Sequence, residues 1–264
     1  MKVTVVKYGG AAMKDEAAAR EIMSGAVDLQ KSGLRPLIVH GGGPEIERWL
    51  SRLEIPTRKV EGLRVTDAAS MEIVEMALSG KVNKALVGMV QTAGGDAVGI
   101  SGRDGGTFIA SQRVVNGESL GFVGSITQTR TDLIEVLLEK NFIPVVSCIA
   151  DNGSGRPMNV NGDEAAAALA IALHAETLVL LTDVPGVLRA WPDASSLIPR
   201  LTVDEAVALI DSGIIDGGMI PKLKSCIEVV RKGVGQVRIL DGRDPAVLRG
   251  ILREELASGT LIVP

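Results

Sequence analysis

Lys7 stands at the end of an apolar run, just before Gly9-Gly10 in "VTVVKYGGAAM". A cation there suits an anion: glycine lets backbone N–H groups come close, and a helix start adds unpaired donors and a positive dipole end. The pattern recurs in "PLIVHGGGPEIERWL", where Gly41-Gly42-Gly43 lead into a helix with Pro44 at its favoured first position. In "IIDGGMIPKLKSC" glycines again precede a helix, and Lys222 lies one turn in, where the dipole disfavours a cation unless an anion is bound. "RPMNVNGDEAAAALAIALHA" sets Asn159, Asn161 and Asp163 at the start of an Ala-rich helix. Asn161 suits the N-cap and Glu164 the positive helix end, which leaves Asn159 and Asp163 free for a ligand. "LLTDVPGVL" closes an apolar strand with Asp183 and a Pro-Gly turn of the kind that lines a nucleotide.

Other chemistries find less support. "GGGPEI" has Ile46 where a dinucleotide fingerprint needs its third glycine, and no GxxxxGK[ST] occurs. The two histidines, His40 and His174, and two cysteines, Cys148 and Cys226, fall into no metal-ligand spacing and no nucleophilic triad. Isolated thiols of this kind read as core residues of a reducing compartment. What remains is phosphoryl transfer by positioning and charge stabilisation, with lysines and backbone N–H groups around the moving group.

These residues must be carried by a substantial scaffold. In 264 residues, 46% are apolar and only 2% aromatic, which suits buried strands covered by Ala-rich helices. Strands are predicted at Val3–Tyr8, Leu37–His40, Ala97–Ile100, Pro144–Ser147, Thr177–Thr182 and Val237–Leu240. Several are continuous apolar runs, the mark of strands buried on both faces. Helices are expected at Asp15–Lys31, Pro44–Leu53, Asp67–Leu78, Lys81–Thr92, Thr131–Lys140, Asp163–His174, Val203–Ser212, Met219–Lys232 and Pro245–Leu256. The alternation implies right-handed crossovers and a mainly parallel sheet, with both early glycine junctions opening at its carboxyl edge. Thr57–Val65 and Thr107–Ser125 read as turn-rich hairpins, expected at a sheet edge or over a site. A boundary near Glu176 divides the chain into lobes 1–175 and 176–264. The formal charge of −4 gives no general attraction to nucleic acid or anionic membrane, and no apolar run is long enough for a membrane span. A soluble, cytoplasmic protein is expected.

In order, "VVKYGGAAM", "IVHGGGPEI", "EGLRVTD", "GRPMNVNGDEAAAALA", "LLTDVPGV" and "DGGMIPKL" resemble the amino-acid kinase family over nearly the whole chain. The resemblance implies a three-layer αβα sandwich around a mainly parallel, about eight-stranded sheet. It implies an N-terminal lobe that binds an acyl acceptor and forms a homodimer, and a C-terminal lobe that binds ATP. The activity implied is transfer of the ATP γ-phosphoryl group to the side-chain carboxylate of N-acetyl-L-glutamate, in arginine biosynthesis.

Carried onto these positions, Lys7 and Lys222 bracket the phosphates, Asp163 holds both lysines, and Gly10 and Gly43 donate to the transferred group. Arg64, with Asn159, Gly42 and Gly43, forms the acceptor pocket. Gly9, Gly10, Asp183, Val184, Gly186, Val187, Leu188, Ile214, Ile215 and Asp216 line the nucleotide. Mg²⁺ travels on the β and γ phosphates with no dedicated protein metal site. A carboxylate acceptor is already ionised at neutral pH, so no general base is needed.

Two related readings differ in acceptor or activity. A sister kinase acting on carrier-bound aminoadipate or glutamate needs a basic face, and beside Arg64 only Arg58 and Lys59 cluster. A non-catalytic amino-acid-binding regulator is expected to lack Lys7, Lys222 or Asp163, yet all three are present. Arginine-inhibited members of the family carry a helix before the first strand. With that strand beginning at Val3, a dimer insensitive to arginine is expected.

Overall fold

The computed structural model describes residues 2–9, 13, 15–60, 62–215, 217–252 and 259–264. The chain runs β1 (Val3–Tyr8), α1 (Glu16–Lys31), β2 (Arg35–His40), α2 (Gly43–Arg52), β3 (Lys59–Val60), β4 (Leu63–Arg64) and α3 (Ala68–Glu75). It continues through α4 (Asn83–Thr92), β5 (Ala97–Ser101), β6 (Phe108–Val115), β7 (Glu118–Thr129), α5 (Asp132–Glu139), β8 (Ile143–Ser147), β9 (Ile149–Asp151) and β10 (Pro157–Val160). Then follow α6 (Gly162–Ala172), β11 (Thr177–Thr182), β12 (Arg200–Thr202), α7 (Val203–Asp211), α8 (Met219–Arg231), β13 (Gln236–Asp241), α9 (Val247–Leu252) and β14 (Thr260–Val263).

Eight strands form one sheet in the order β12-β14-β13-β11-β1-β2-β8-β5. Every pairing is parallel except β13 with β14. The mainly parallel, eight-stranded sandwich expected from the sequence is therefore present. Side chains alternate between two apolar cores, as the period of a strand requires. On β1, Val3 and Val5 enter one core and Val6 and Tyr8 the other. Leu178 and Leu180 on β11 join the first core, Val179 and Leu181 the second. The first core is covered by residues of α2, α3, α6, α7 and α8, the second by α1, α4 and α9. Lys7 shares the parity of Val3 and Val5, so it leaves the sheet on the α6 face.

The structure departs from the expectations at several points. β12 and β14 were not predicted as strands, although they form the sheet edge beyond β13. Of the two places expected for the Thr107–Ser125 hairpin, a sheet edge or over a site, the edge of this sheet is not the one taken: β6 and β7 close with β9 and β10 into a separate four-stranded barrel. The break expected at Ser79-Gly80 is absent, because α3 and α4 are joined through a π-helical segment, Met76–Val82. Side-chain bonds support that segment: Ser79 Oγ lies 2.9 Å from Ser147 Oγ, and Asn83 Nδ2 donates to the Val145 carbonyl at 2.8 Å. Helix α2 starts one residue earlier than expected, with Gly43 first and Gly42 as N-cap. The last expected helix, to Leu256, is described only as Val247–Leu252. No helix among the described residues is long and apolar enough to cross a membrane.

Candidate active site

Strand β1 lies between β11 and β2, with Lys7 opposite Leu180 and Val39. Its neighbours bury the stem, leaving the Lys7 side chain 16% exposed, and Nζ meets Asp163 Oδ1 at 2.9 Å. Glycines make room for this ammonium. A Cβ on Gly9 would sit 3.3 Å from Lys7 Nζ, and one on Gly162 would sit 3.6 Å from Lys7 Cε. Both positions are within 4 Å of the Gly41 nitrogen. The carboxyl ends of β1 and β2 and the start of α6 thus converge on one lysine. Gly162 was not singled out from the sequence, because a glycine at a helix start is ordinary and its role lies in its contact with Lys7.

Asp163 serves two purposes at once. Asn161 caps α6 as expected, its Oδ1 accepting from the Asp163 and Glu164 amides at 2.8 and 3.2 Å. Asp163 therefore sits in the first helical turn, where a negative charge is favoured, with its carboxylate turned to Lys7. Glu164 does more than face the helix end. Its Oε1 accepts from the Ile126 amide at 2.7 Å and its Oε2 pairs with Arg113 at 3.1 Å, tying α6 to the barrel.

Lys222 is the fourth residue of α8, whose start has no side-chain cap. It lines two cavities. One, of about 990 Å³, also has Asp163, Asn161 and Gly218 in its wall. The other, of about 390 Å³, is walled by Asp183, Val184, Gly186, Leu188, Ile214 and Ile215, with Trp191 and Met219. Six of the residues expected to line a nucleotide are thereby brought together. Val187 is not among them: it is fully buried, and its amide donates to Thr260 Oγ1 at 2.8 Å. Among the described residues Asp163 is paired with Lys7 and not with Lys222, so only one of the two expected lysine contacts is made in this conformation. Gly10 and Asp216 lie outside the described residues.

The Gly41–Gly43 junction is held from behind. His40 is fully buried and bonded through Nδ1 to the Gly41 carbonyl at 2.9 Å, while Asn83 Nδ2 lies 3.0 Å from Nε2. Burial first, with nearby Lys84 adding to it, pushes the imidazole down to about 4, so it is neutral: Nδ1 donates and Nε2 accepts. A Cβ on Gly42 would come 2.5 Å from Leu78 Cδ2 and 3.2 Å from Val82 Cγ2, so the π-helical segment packs closely against this turn. The first turn of α2 leaves the Gly43 and Glu45 amides without helical acceptors.

Arg64 ends the β3–β4 hairpin. Its Nη2 bonds Glu47 Oε1 at 3.0 Å, while Nη1 is buried and without a hydrogen-bond partner among the described residues. A buried guanidinium N–H left open costs free energy unless an acceptor arrives, and a carboxylate is the matching fork. Glu47 also accepts from Lys59 Nζ at 2.8 Å. That bond first, and Arg64 after it, holds Glu47 below the usual carboxylate range. Arg58 is paired likewise with Glu118, so neither basic neighbour of Arg64 is left unpaired.

Thr66, missed by sequence reasoning, joins Arg64 to Asn159. Thr66 Oγ1 donates to the Arg64 carbonyl at 2.9 Å and accepts from Asn159 Nδ2 at 3.3 Å. Its backbone is stitched to β7 by bonds to Leu120 and Phe122. Gly121 lies between them at φ +72°, and a Cβ there would sit 2.2 Å from the Thr66 carbonyl oxygen. The two cysteines are buried, and burial pushes their thiols up, to about 11 for Cys148 and about 12 for Cys226. Both match the core role expected of them.

A lysine–aspartate pair among glycine junctions, at the carboxyl edge of a parallel sheet and beside a further pocket, is an arrangement that can orient and neutralise phosphate groups. The chain belongs to the amino acid kinase family, whose sequence pattern matches residues 2–241. It is 47% identical over 263 residues to an acetylglutamate kinase of Synechococcus sp. (strain JA-2-3B'a(2-13)), covering 100% of this chain and 84% of that one. It is 43% identical over 271 residues to an acetylglutamate kinase of Carboxydothermus hydrogenoformans, covering 100% and 92%. A solved structure from Streptococcus mutans UA159 superposes with a TM-score of 0.78 at 31% identity, over 100% of this chain and 99% of that one.

Proposed function

We propose that this chain transfers the γ-phosphoryl group of ATP to the side-chain carboxylate of N-acetyl-L-glutamate, as a step of arginine biosynthesis; its relatives are named acetylglutamate kinases. The observation that carries the reading is the Lys7–Asp163 pair at the meeting of Gly9, Gly41 and Gly162, with Lys222 on the wall of both adjoining cavities. A carboxylate oxygen attacks the γ-phosphorus, the bond to the bridging β,γ-oxygen breaks, and ADP leaves with that electron pair. No proton moves, so no base is required.

Lys7 and Lys222 neutralise charge on the phosphates, and the Gly43 and Gly10 amides donate to the phosphoryl oxygens. Asp163 orients Lys7 and holds Lys222 as well once the nucleotide is bound. Arg64 Nη1 binds the acceptor's α-carboxylate, with Asn159 and the Gly42-Gly43 backbone completing the pocket. Asp183, Val184, Gly186, Leu188, Ile214, Ile215 and Asp216 line the nucleotide. Mg²⁺ carried by the nucleotide would supply further charge neutralisation beside Lys7 and Lys222. Among the described residues no three His, Cys, Asp or Glu side chains group into a metal cage.

Residues 1–175 form the acceptor lobe and the surface of a homodimer, and residues 176–264 form the ATP lobe. The test is ATP-dependent acyl phosphate, trapped with hydroxylamine, offered N-acetylglutamate, free glutamate or carrier-bound aminoadipate. Hydroxamate from N-acetylglutamate alone is expected. Product only from the carrier-bound acceptor would overturn the substrate, and sedimentation as a monomer would overturn the dimer.

A further inference from the structure

The chain has two tryptophans, and they are treated very differently. Trp49 is partly buried, donates its indole N–H to Glu45 at 2.8 Å and lies against the Arg48 and Arg52 guanidinium groups, 5.3 and 5.4 Å from its centroid. Trp191 is 67% exposed, the most exposed large apolar side chain among the described residues. Its indole makes no hydrogen bond or ring contact to any described residue. Leaving so large a ring in water forgoes the stabilisation that burial brings.

The backbone that carries the ring is nevertheless held in place. The Ala190 amide donates to Ser196 Oγ at 3.0 Å, and the Asp193 amide donates to the Ala190 carbonyl at 2.8 Å. The backbone is thus pinned on both sides of Trp191. The indole lines the pocket of about 390 Å³ that Lys222 also lines, with Val184, Leu188, Ile215 and Met219 as apolar wall. A second exposed apolar side chain, Ile214 at 42%, lines the same pocket. An unpartnered aromatic face in a mostly apolar pocket that also holds a lysine matches a ligand with a flat heteroaromatic ring at one end and phosphate at the other.

We infer that Trp191 is a nucleobase-binding residue, stacking on the adenine ring of ATP and thereby selecting a nucleotide over bare polyphosphate. This inference rests on the ATP site proposed above and adds a contact to it. Stacking of a base on an aromatic side chain is sequence-tolerant, because every base has a π face. Purines, with the larger face, are therefore favoured over pyrimidines.

The test is tryptophan emission with no acceptor present. Adenosine and ATP are expected to quench it, inorganic tripolyphosphate to leave it unchanged, and Trp191→Phe to abolish the response. In steady-state assays Trp191→Ala is expected to raise the KM for ATP about tenfold, with Trp191→Phe close to wild type and the acceptor KM unchanged in both. An unchanged ATP KM in Trp191→Ala, or equal quenching by tripolyphosphate, would overturn the inference. An adenosine quench in a protein that phosphorylates no acceptor would uphold Trp191 while sinking the proposed reaction, so the two fail separately.

Discussion

Lys7 Nζ and Asp163 Oδ1, 156 positions apart in the chain, meet at 2.9 Å where β1 ends and α6 begins. The pair is asymmetric: the lysine side chain is largely enclosed, whereas the aspartate is 40% exposed and opens onto the cavity that Lys222 also lines. One carboxylate oxygen is thus committed to Lys7, and the group still faces the space where a second cation can approach.

Asp163→Asn tests that relationship. The cap of α6 comes from Asn161, so the helix start and the melting temperature are expected to change little. The charge that orients Lys7 is lost, and kcat is expected to fall by about 10²–10³-fold, the usual loss when one element of transition-state charge stabilisation is removed. Thermal denaturation and kcat measured on one preparation check both halves. A large fall in melting temperature would make Asp163 a structural residue instead.

Arg64→Lys separates charge from geometry. An ammonium keeps the positive charge but cannot bond Glu47 and a ligand carboxylate through two forked nitrogens. The acceptor KM is expected to rise about ten- to hundredfold, the range of one charge-assisted hydrogen bond, with the ATP KM within about twofold of wild type. Steady-state kinetics varying each substrate in turn decide the outcome; a matched rise in both KM values would count against Arg64 as an acceptor residue.

Much of this arrangement is written locally in the chain. The bounds of β1 and β11 coincide with their apolar runs, and strand parity alone sends Lys7 to the α6 face. Asn161 capped the expected helix because Asn before an Ala-rich run has few other roles. What escaped the sequence is what distant partners impose. Three- and four-residue strands such as β12 and β14 carry too little periodicity to separate them from loop. Ser79-Gly80 has the composition of a break, yet Ser147 and the Val145 carbonyl hold a helix through it. Thr66 and Gly162 matter through contacts with chain segments far away in sequence, and Val187 lies in a pocket-lining run but points into the core.

Glu164 shows the same tertiary dependence in a measurable form. Glu164→Ala removes the acceptor of the Ile126 amide and the partner of Arg113. The bond is part-buried, so its loss is expected to cost about 1 kcal/mol, at the low end for an open donor, and the urea midpoint to drop accordingly. Glu164→Gln keeps a carbonyl oxygen for the Ile126 amide and is expected to recover at least half of that loss. Equal loss in both variants would assign the stabilisation to the Arg113 ion pair.

His40 gives the pH dependence a definite sign. Its folded value of about 4 lies below the ordinary 6.5, so between these values the unfolded chain binds a proton that the folded chain does not. Stability therefore rises with pH across that window, is fully present above about 6.5, and is lost as pH falls toward about 4, by about 1.4 kcal/mol per pH unit at most. The carboxylates that hydrogen bonds hold low, such as Glu47, lose their contribution at more acidic pH. His40→Gln keeps a side-chain acceptor for Asn83 and cannot titrate. Urea midpoints at half-unit steps from pH 4 to 7 are expected to fall on acidification in the wild type and to stay nearly level in His40→Gln. Parallel slopes in the two proteins would mean that another group governs this range and that the His40 imidazole is not held neutral by its burial.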